Sequence, residues 1–161
     1  MAAKQRPERR FDPMQTAVRP NPQDEFHRKL NGLLFSLLKW QQLAEFWGKV
    51  DRGAGWYLYA VGESVPIAHA TPGQVEKFIV EIDALLRRDH HENYCGIVYA
   101  DNLDNPAFIK IYDPNHLGSS CGSSKNKALP GWIMSQIPPV ELHLKHAVPA
   151  NRKRWWQALL S

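Results

Sequence analysis

The sequence predicts an α+β fold in which a small mixed or antiparallel sheet of about four strands packs against helices. Three helices are expected: a long N-terminal helix, a crossover helix between two strands, and a short C-terminal helix. Two observations predict this class. Apolar residues recur at helical spacing over residues 23–50 and 72–88. Short runs rich in aromatic and β-branched residues, such as 56–61, are bounded by glycines or polar turns.

The first 22 residues differ in composition from the rest of the chain. They contain four prolines, five basic and two acidic side chains, and little periodic apolar content. Such a composition rarely supports a packed core. We therefore expect a flexible basic leader over residues 1–22. A single globular domain is expected over residues 23–161, because a chain of 161 residues suits one domain.

The first predicted helix starts near residue 22, where a proline is followed by two acidic residues. Proline suits the first turn of a helix, and acids suit the positive end of its dipole. The apolar residues that follow fall on one broad face up to residue 50. The pattern fits one long helix or two segments, with a break at Gly32 or near Trp40.

The crossover helix has a start signal that can be read directly from the sequence. Thr71 is followed by a proline and then, three residues after the threonine, by Gln74, which is the spacing of a capping box. The helix would connect the strand at 56–61 with a second strand at 94–100. A right-handed βαβ unit is one arrangement of these three elements.

Two neighbouring strands, 94–100 and 107–112, are separated by a short polar turn and are expected to pair as a hairpin. Aspartates flank the hairpin in contexts that are typical of turns. We expect these carboxylates to cap turns rather than to act as a catalytic pair: they are Asp101, Asp104 and Asp113.

Residues 140–146 alternate apolar and polar side chains, which predicts a half-exposed edge strand. A last helix should open after Pro149. Residues 129–139, which include Trp132, are bounded by prolines and are interpreted as an apolar turn.

A long segment, 113–139, contains the small-residue stretch that holds Gly118 and Gly122. Long loops inside compact domains are usually either functional or mobile, and a flexible surface loop is one interpretation of this stretch. Backbone amides freed by glycine, with Lys125 nearby, invite a phosphate-binding hypothesis. The spacing differs from that of a P-loop, which has four residues between its glycines and a lysine directly after the second. No cofactor is predicted.

Cys121 lies within this stretch, between small residues, with Lys125 and His116 close in sequence. Positive charge nearby lowers the pKa of a thiol and raises the fraction present as the reactive thiolate. The alternative to a binding role is therefore a thiol-dependent enzyme or redox protein using these three residues. If a metal were bound, His116 and Cys121 would be its first candidate ligands. Cys95, inside a predicted strand, is expected to be a small buried hydrophobe.

The tryptophans suggest a binding surface. Trp155 and Trp156 follow the basic residues Arg152 and Arg154, and Trp132 belongs to the long segment. Tryptophan and arginine together are typical of interface hot spots. The leading hypothesis is a small accessory protein without catalysis of its own. It would bind another protein through the 113–139 segment and the C-terminal helix.

The net charge of +4 is concentrated at the two ends of the chain. Basic ends can contact nucleic acid, which is a second alternative function. No run of 18 apolar residues occurs, so no membrane span is expected. The N-terminus has no apolar core of a signal peptide, and a cytoplasmic location is expected. The sequence does not specify an oligomeric state.

Overall fold

The computed structural model describes residues 21–117 and 128–161. Residues 1–20 of the predicted leader and the Gly118–Lys125 stretch lie outside these residues. Within the described part, four α-helices, one short 3-10 helix and five strands occur. In chain order they are α1 (Pro22–Asn31), β1 (Phe35–Ser36), α2 (Trp40–Trp47), β2 (Tyr57–Ala60), α3 (Pro72–Asp89), β3 (Val98–Ala100), β4 (Phe108–Ile111), the 3-10 helix (Pro114–His116), β5 (Trp132–Ser135) and α4 (Ala150–Leu160).

The strands form one antiparallel sheet in the order β1-β3-β4-β5-β2. The α+β class and the β3–β4 hairpin are confirmed. The βαβ unit is wrong: β2 and β3 are three places apart in a sheet whose neighbours all run antiparallel, so they point in opposite directions. The connection that contains α3 therefore leads from the edge strand β2 across one face of the sheet to β3.

The N-terminal helical region forms two helices instead of one long helix, which is the second of the two arrangements that the sequence allows. Helix α1 ends at Asn31, and the chain then extends to pair β1 with β3, with Phe35 opposite Ala100. A Cβ at Gly32 would lie 2.7 Å from the carbonyl oxygen of Arg28, so only glycine fits this exit from the helix. The apolar pattern appeared continuous because α1 and α2 both bury one face.

Helix α3 starts as the sequence predicts. The Thr71 hydroxyl accepts a hydrogen bond from the Gln74 amide, and the Gln74 side chain accepts one from the Thr71 amide. The apolar residues that recur at helical spacing along it are all buried: Val75, Phe78, Ile79, Ile82, Leu85 and Leu86. Among residues 21–117 and 128–161, no helix is long and apolar enough to cross a membrane.

The C-terminal third of the chain differs from the prediction in two places. Residues 132–135, expected to be part of a turn, form β5, which is paired on both sides and fully buried. Residues 140–146, expected to be an edge strand, form no strand. Their alternation of burial is nevertheless real, with Leu142 buried between exposed Glu141 and His143. The Leu142 amide donates to the Tyr59 hydroxyl at 3.0 Å instead of to a neighbouring strand.

The sheet is covered on both faces. One face packs against α2, α3 and α4 through alternate strand residues such as Leu58, Ile109 and Met134. The opposite face, through residues such as Tyr59 and Phe108, packs against α1 and the 137–144 segment. The alternation of side chains along each strand thus divides the core into two layers.

Replacing Thr71 with alanine should lower the free energy of unfolding by about 1 kcal/mol, because the Gln74 amide loses its capping acceptor. Denaturant unfolding followed by circular dichroism measures the change. Thr71→Ser keeps a capping hydroxyl and serves as the control. An alanine variant as stable as the wild type would contradict the capping role.

Candidate functional site

A cavity opens at the end of the sheet where β2 ends and β5 begins. Its walls come from the end of β2, the 3-10 helix and the residue before it, residues 129–132, the 144–149 segment and α4. The cavity volume is about 40 Å³. A water molecule needs about 10–15 Å³ by this measure, so the cavity holds roughly three water-sized groups. That size suits the tip of a side chain rather than a nucleotide or sugar.

Gly62 allows one wall of this cavity to form. Its φ of +99° is a conformation that side-chain-bearing residues rarely adopt. A Cβ there would lie 2.6 Å from both Leu144 Cδ1 and Val148 Cγ2. Because Gly62 has no side chain, the 144–148 segment can approach the end of β2 closely.

Arg152, on α4, is buried beside the cavity with 5% of its surface exposed. Its Nε and Nη2 atoms donate to the two carboxylate oxygens of Asp113, each at 2.9 Å. Its Nη1 atom lies 2.8 Å from Asp89 Oδ2. Burial alone would lower the pKa of Arg152, but its hydrogen bonds to both carboxylates outweigh this and raise it. The guanidinium therefore stays charged and is shared between two acids.

Asp113 also caps the 3-10 helix, as its turn-like sequence context predicts. Its Oδ1 atom accepts from the Asn115 amide at 2.9 Å. The neighbouring strand comes very close here, since a Cβ at Gly131 would lie 3.2 Å from Asp113 Cβ. Asp113 thus joins the 3-10 helix, the start of β5 and α4 at one point.

Asp89, the last residue of α3, is the second acid of the network formed by Arg152, Asp113 and Asp89. The hydrogen bond from Arg88, at 2.9 Å, and then the contacts with Arg152 hold the pKa of Asp89 below its ordinary value. Partial burial opposes this shift without reversing it.

The tryptophans are placed differently from the expectation of exposed anchors. Trp132 and Trp156 are buried, with 3% and 7% of their surface exposed, and Trp155 is half-buried. The ring centroids of Trp132 and Trp155 are 5.4 Å apart. The Arg152 guanidinium carbon lies 5.9 Å from the Trp132 ring centroid. Trp132, Trp156 and Arg152 form part of the cavity wall, whereas Arg154 is exposed on α4.

Two imidazoles stack at the cavity. The rings of His116 and His146 are 4.4 Å apart and parallel to within 2°. His116 was a candidate from the sequence, but His146 was not, because no local pattern connects residues that are far apart in the chain. Among residues 21–117 and 128–161, no group of three potential ligands could hold a metal ion.

The other predicted site residues lie outside the described part of the chain: Gly118, Cys121, Gly122 and Lys125. The hypotheses that depend on them stay predictions. Cys95 is fully buried, and burial raises the pKa of its thiol, which confirms the expectation of a small buried hydrophobe.

Comparison with protein-family models, curated proteins and solved structures finds no match to this chain. A function is therefore inferred from the cavity, its charges and its surroundings.

Replacing Arg152 with methionine should destabilise the protein by about 3–5 kcal/mol, because Asp113 and Asp89 lose their shared cation in a buried setting. Thermal and denaturant unfolding measure the loss. Arg154→Met, an exposed arginine on the same helix, is the matched control and should change stability by less than about 0.5 kcal/mol. Equal effects of the two substitutions would contradict a structural role for the buried network.

The network also predicts a dependence of stability on acid. Because the pKa of Asp89 is lower in the folded state, the folded protein releases this proton more readily than the unfolded chain does. The resulting stabilisation is complete above about pH 5 and is lost as the pH falls through the ordinary value near 3.9 towards the lower folded value. Unfolding free energies measured from pH 6 to pH 2.5 should therefore fall less steeply for Asp89→Asn than for the wild type. Parallel curves would contradict this assignment.

Proposed function

We propose that the protein is a binding module that receives a segment of another protein at this cavity, with one side chain of the partner entering it. The main support is that two stretches far apart in the sequence line the same cavity. The 113–139 segment contributes Asp113 and Trp132, and α4 contributes Arg152 and Trp156, to the same cavity wall. The two stretches that suggest binding from sequence therefore adjoin one recess.

The chemistry of the wall supports binding over reaction. Asp113 and Arg152 are hydrogen-bonded to each other, and Arg152 also to Asp89, so these groups hold structure. The apolar wall, formed by residues such as Val61 and Leu129, can exclude water around an inserted side chain. This arrangement suits an anchor residue of a partner, because anchors gain most of their energy from desolvated pockets.

The tryptophans have a different role in this proposal from the one the sequence suggests. Trp132 and Trp156 are buried, so they shape the recess instead of contacting the partner first. The contact surface is then the rim, where His146 is exposed and His116 is half-buried.

A photo-cross-linking amino acid at position 146 tests the proposal directly, because His146 is exposed and lines the cavity. The matched control position is Val80, which is 55% exposed on α3. We expect a defined partner to cross-link from position 146 and not from position 80. The same products from both positions, or none from position 146, would contradict the proposal.

The partner found in this way allows an affinity measurement. His146→Trp places a large ring at the cavity rim and should weaken the purified complex at least about tenfold by loss of the anchor contact. Val80→Trp should leave affinity unchanged. Equal affinities for both variants would show that the partner does not use the cavity.

A thiol-dependent reaction at Cys121 remains the second candidate. One observation favours it: His116, five positions earlier in the sequence, lines the cavity. The rate of thiol alkylation against pH separates the two functions. An apparent pKa near the free-thiol value of about 8.5 would argue against an activated nucleophile.

A further inference from the structure

Glu63 lies on the cavity wall, just after β2. Its Oε1 atom is buried and accepts no hydrogen bond from the described residues. A buried acceptor without a donor is costly, and more so when it is charged. Native structures rarely leave such an atom unsatisfied. A donor that is not one of the described residues, either water or a bound group, is therefore expected at this oxygen.

The nearby cation does not provide that donor. Arg152 directs its Nε and Nη2 atoms to Asp113 and its Nη1 atom to Asp89. Two carboxylates thus already share the single guanidinium charge. Among the described residues, and with histidines counted as neutral, the charged groups that line the cavity are Glu63, Asp113 and Arg152, whose formal charges sum to −1. This balance disfavours an anion and favours a cation.

The size and the walls restrict the cation further. A volume of about 40 Å³ admits a small group such as an ammonium, whereas a planar guanidinium binds best to a pair of acceptors. Apolar residues of the wall, such as Val61 and Leu144, suit the methylene stem that precedes a lysine ammonium.

We propose that the cavity binds a primary ammonium group, supplied by a lysine side chain of the partner, with the Glu63 carboxylate as its acceptor. This inference rests on the proposed function and names the chemistry of the inserted residue. Charge complementarity and the unsatisfied buried oxygen carry it.

Butylammonium, which reproduces the end of a lysine side chain, is the probe. Titration into the labelled protein, followed by amide and indole chemical shifts, should give saturable changes confined to cavity residues. Butanol and acetate, matched for an apolar stem and for an anionic group, should give no saturable change. Saturable binding of butanol or acetate equal to that of butylammonium would overturn the proposal, as would no saturation by butylammonium.

Glu63→Gln should raise the dissociation constant for butylammonium at least about tenfold, because a charge-assisted hydrogen bond becomes a neutral one. Glu141→Gln, an exposed acid, is the control and should bind as the wild type does. Unchanged binding by a folded Glu63→Gln variant would overturn the proposal. If that variant does not fold, the comparison of butylammonium with butanol and acetate on the wild type still tests whether the cavity binds an ammonium group.

The outcomes separate this inference from the proposed function. A partner that cross-links at position 146, and is weakened by His146→Trp but not by Glu63→Gln, would overturn the ammonium assignment and keep the binding site. Saturable binding of butylammonium with no partner cross-linked at position 146 would overturn the proposed function alone.

Discussion

The buried guanidinium of Arg152 connects the elements that meet at one end of the sheet. Arg152 joins Asp89 at the end of α3 to Asp113, which is 39 residues away from the arginine, and so fixes α4 against both elements. Burying three charged groups costs several kcal/mol per ion, and the bidentate geometry with Asp113 largely offsets that cost. The network therefore adds little net stability compared with an apolar packing of the same volume. Its contribution is to fix positions, since a planar guanidinium donates to carboxylates in only a few orientations.

That fixed geometry explains why a recess exists next to a dense core. Arg152 faces its two acids and the Trp132 ring, and Trp156 packs edge-on against Phe78 with ring centroids 6.2 Å apart. With these groups held, the space between the end of β2 and α4 cannot close further. Glu63, the other acid of this wall, takes no part in the network of Arg152, Asp113 and Asp89. The recess and its polarity thus have the same structural origin.

Features set by neighbouring residues could be predicted from the sequence, whereas contacts between distant segments could not. Thr71 and Gln74 identify the start of α3 because both partners of the capping box lie within one turn. Strand β5 escaped prediction because both its faces are buried and a Pro-Gly pair precedes it, which removes the alternation that marks a strand. Residues 140–146 show the reverse case: the alternation correctly indicates which side chains are buried, but it carries no information on hydrogen-bond partners. The charge pair of Arg152 and Asp113 and the stacked imidazoles depend on contacts between distant segments, which no spacing rule specifies.

The order of the chain gives the buried arginine a further consequence. Every strand of the sheet, and both acids, precede residue 152, so a nascent polypeptide carries these carboxylates before it carries the group that neutralises them. Closing the end of the sheet around two unpaired acids is unfavourable, so the contacts around Trp132 gain their full stability only when α4 packs against them.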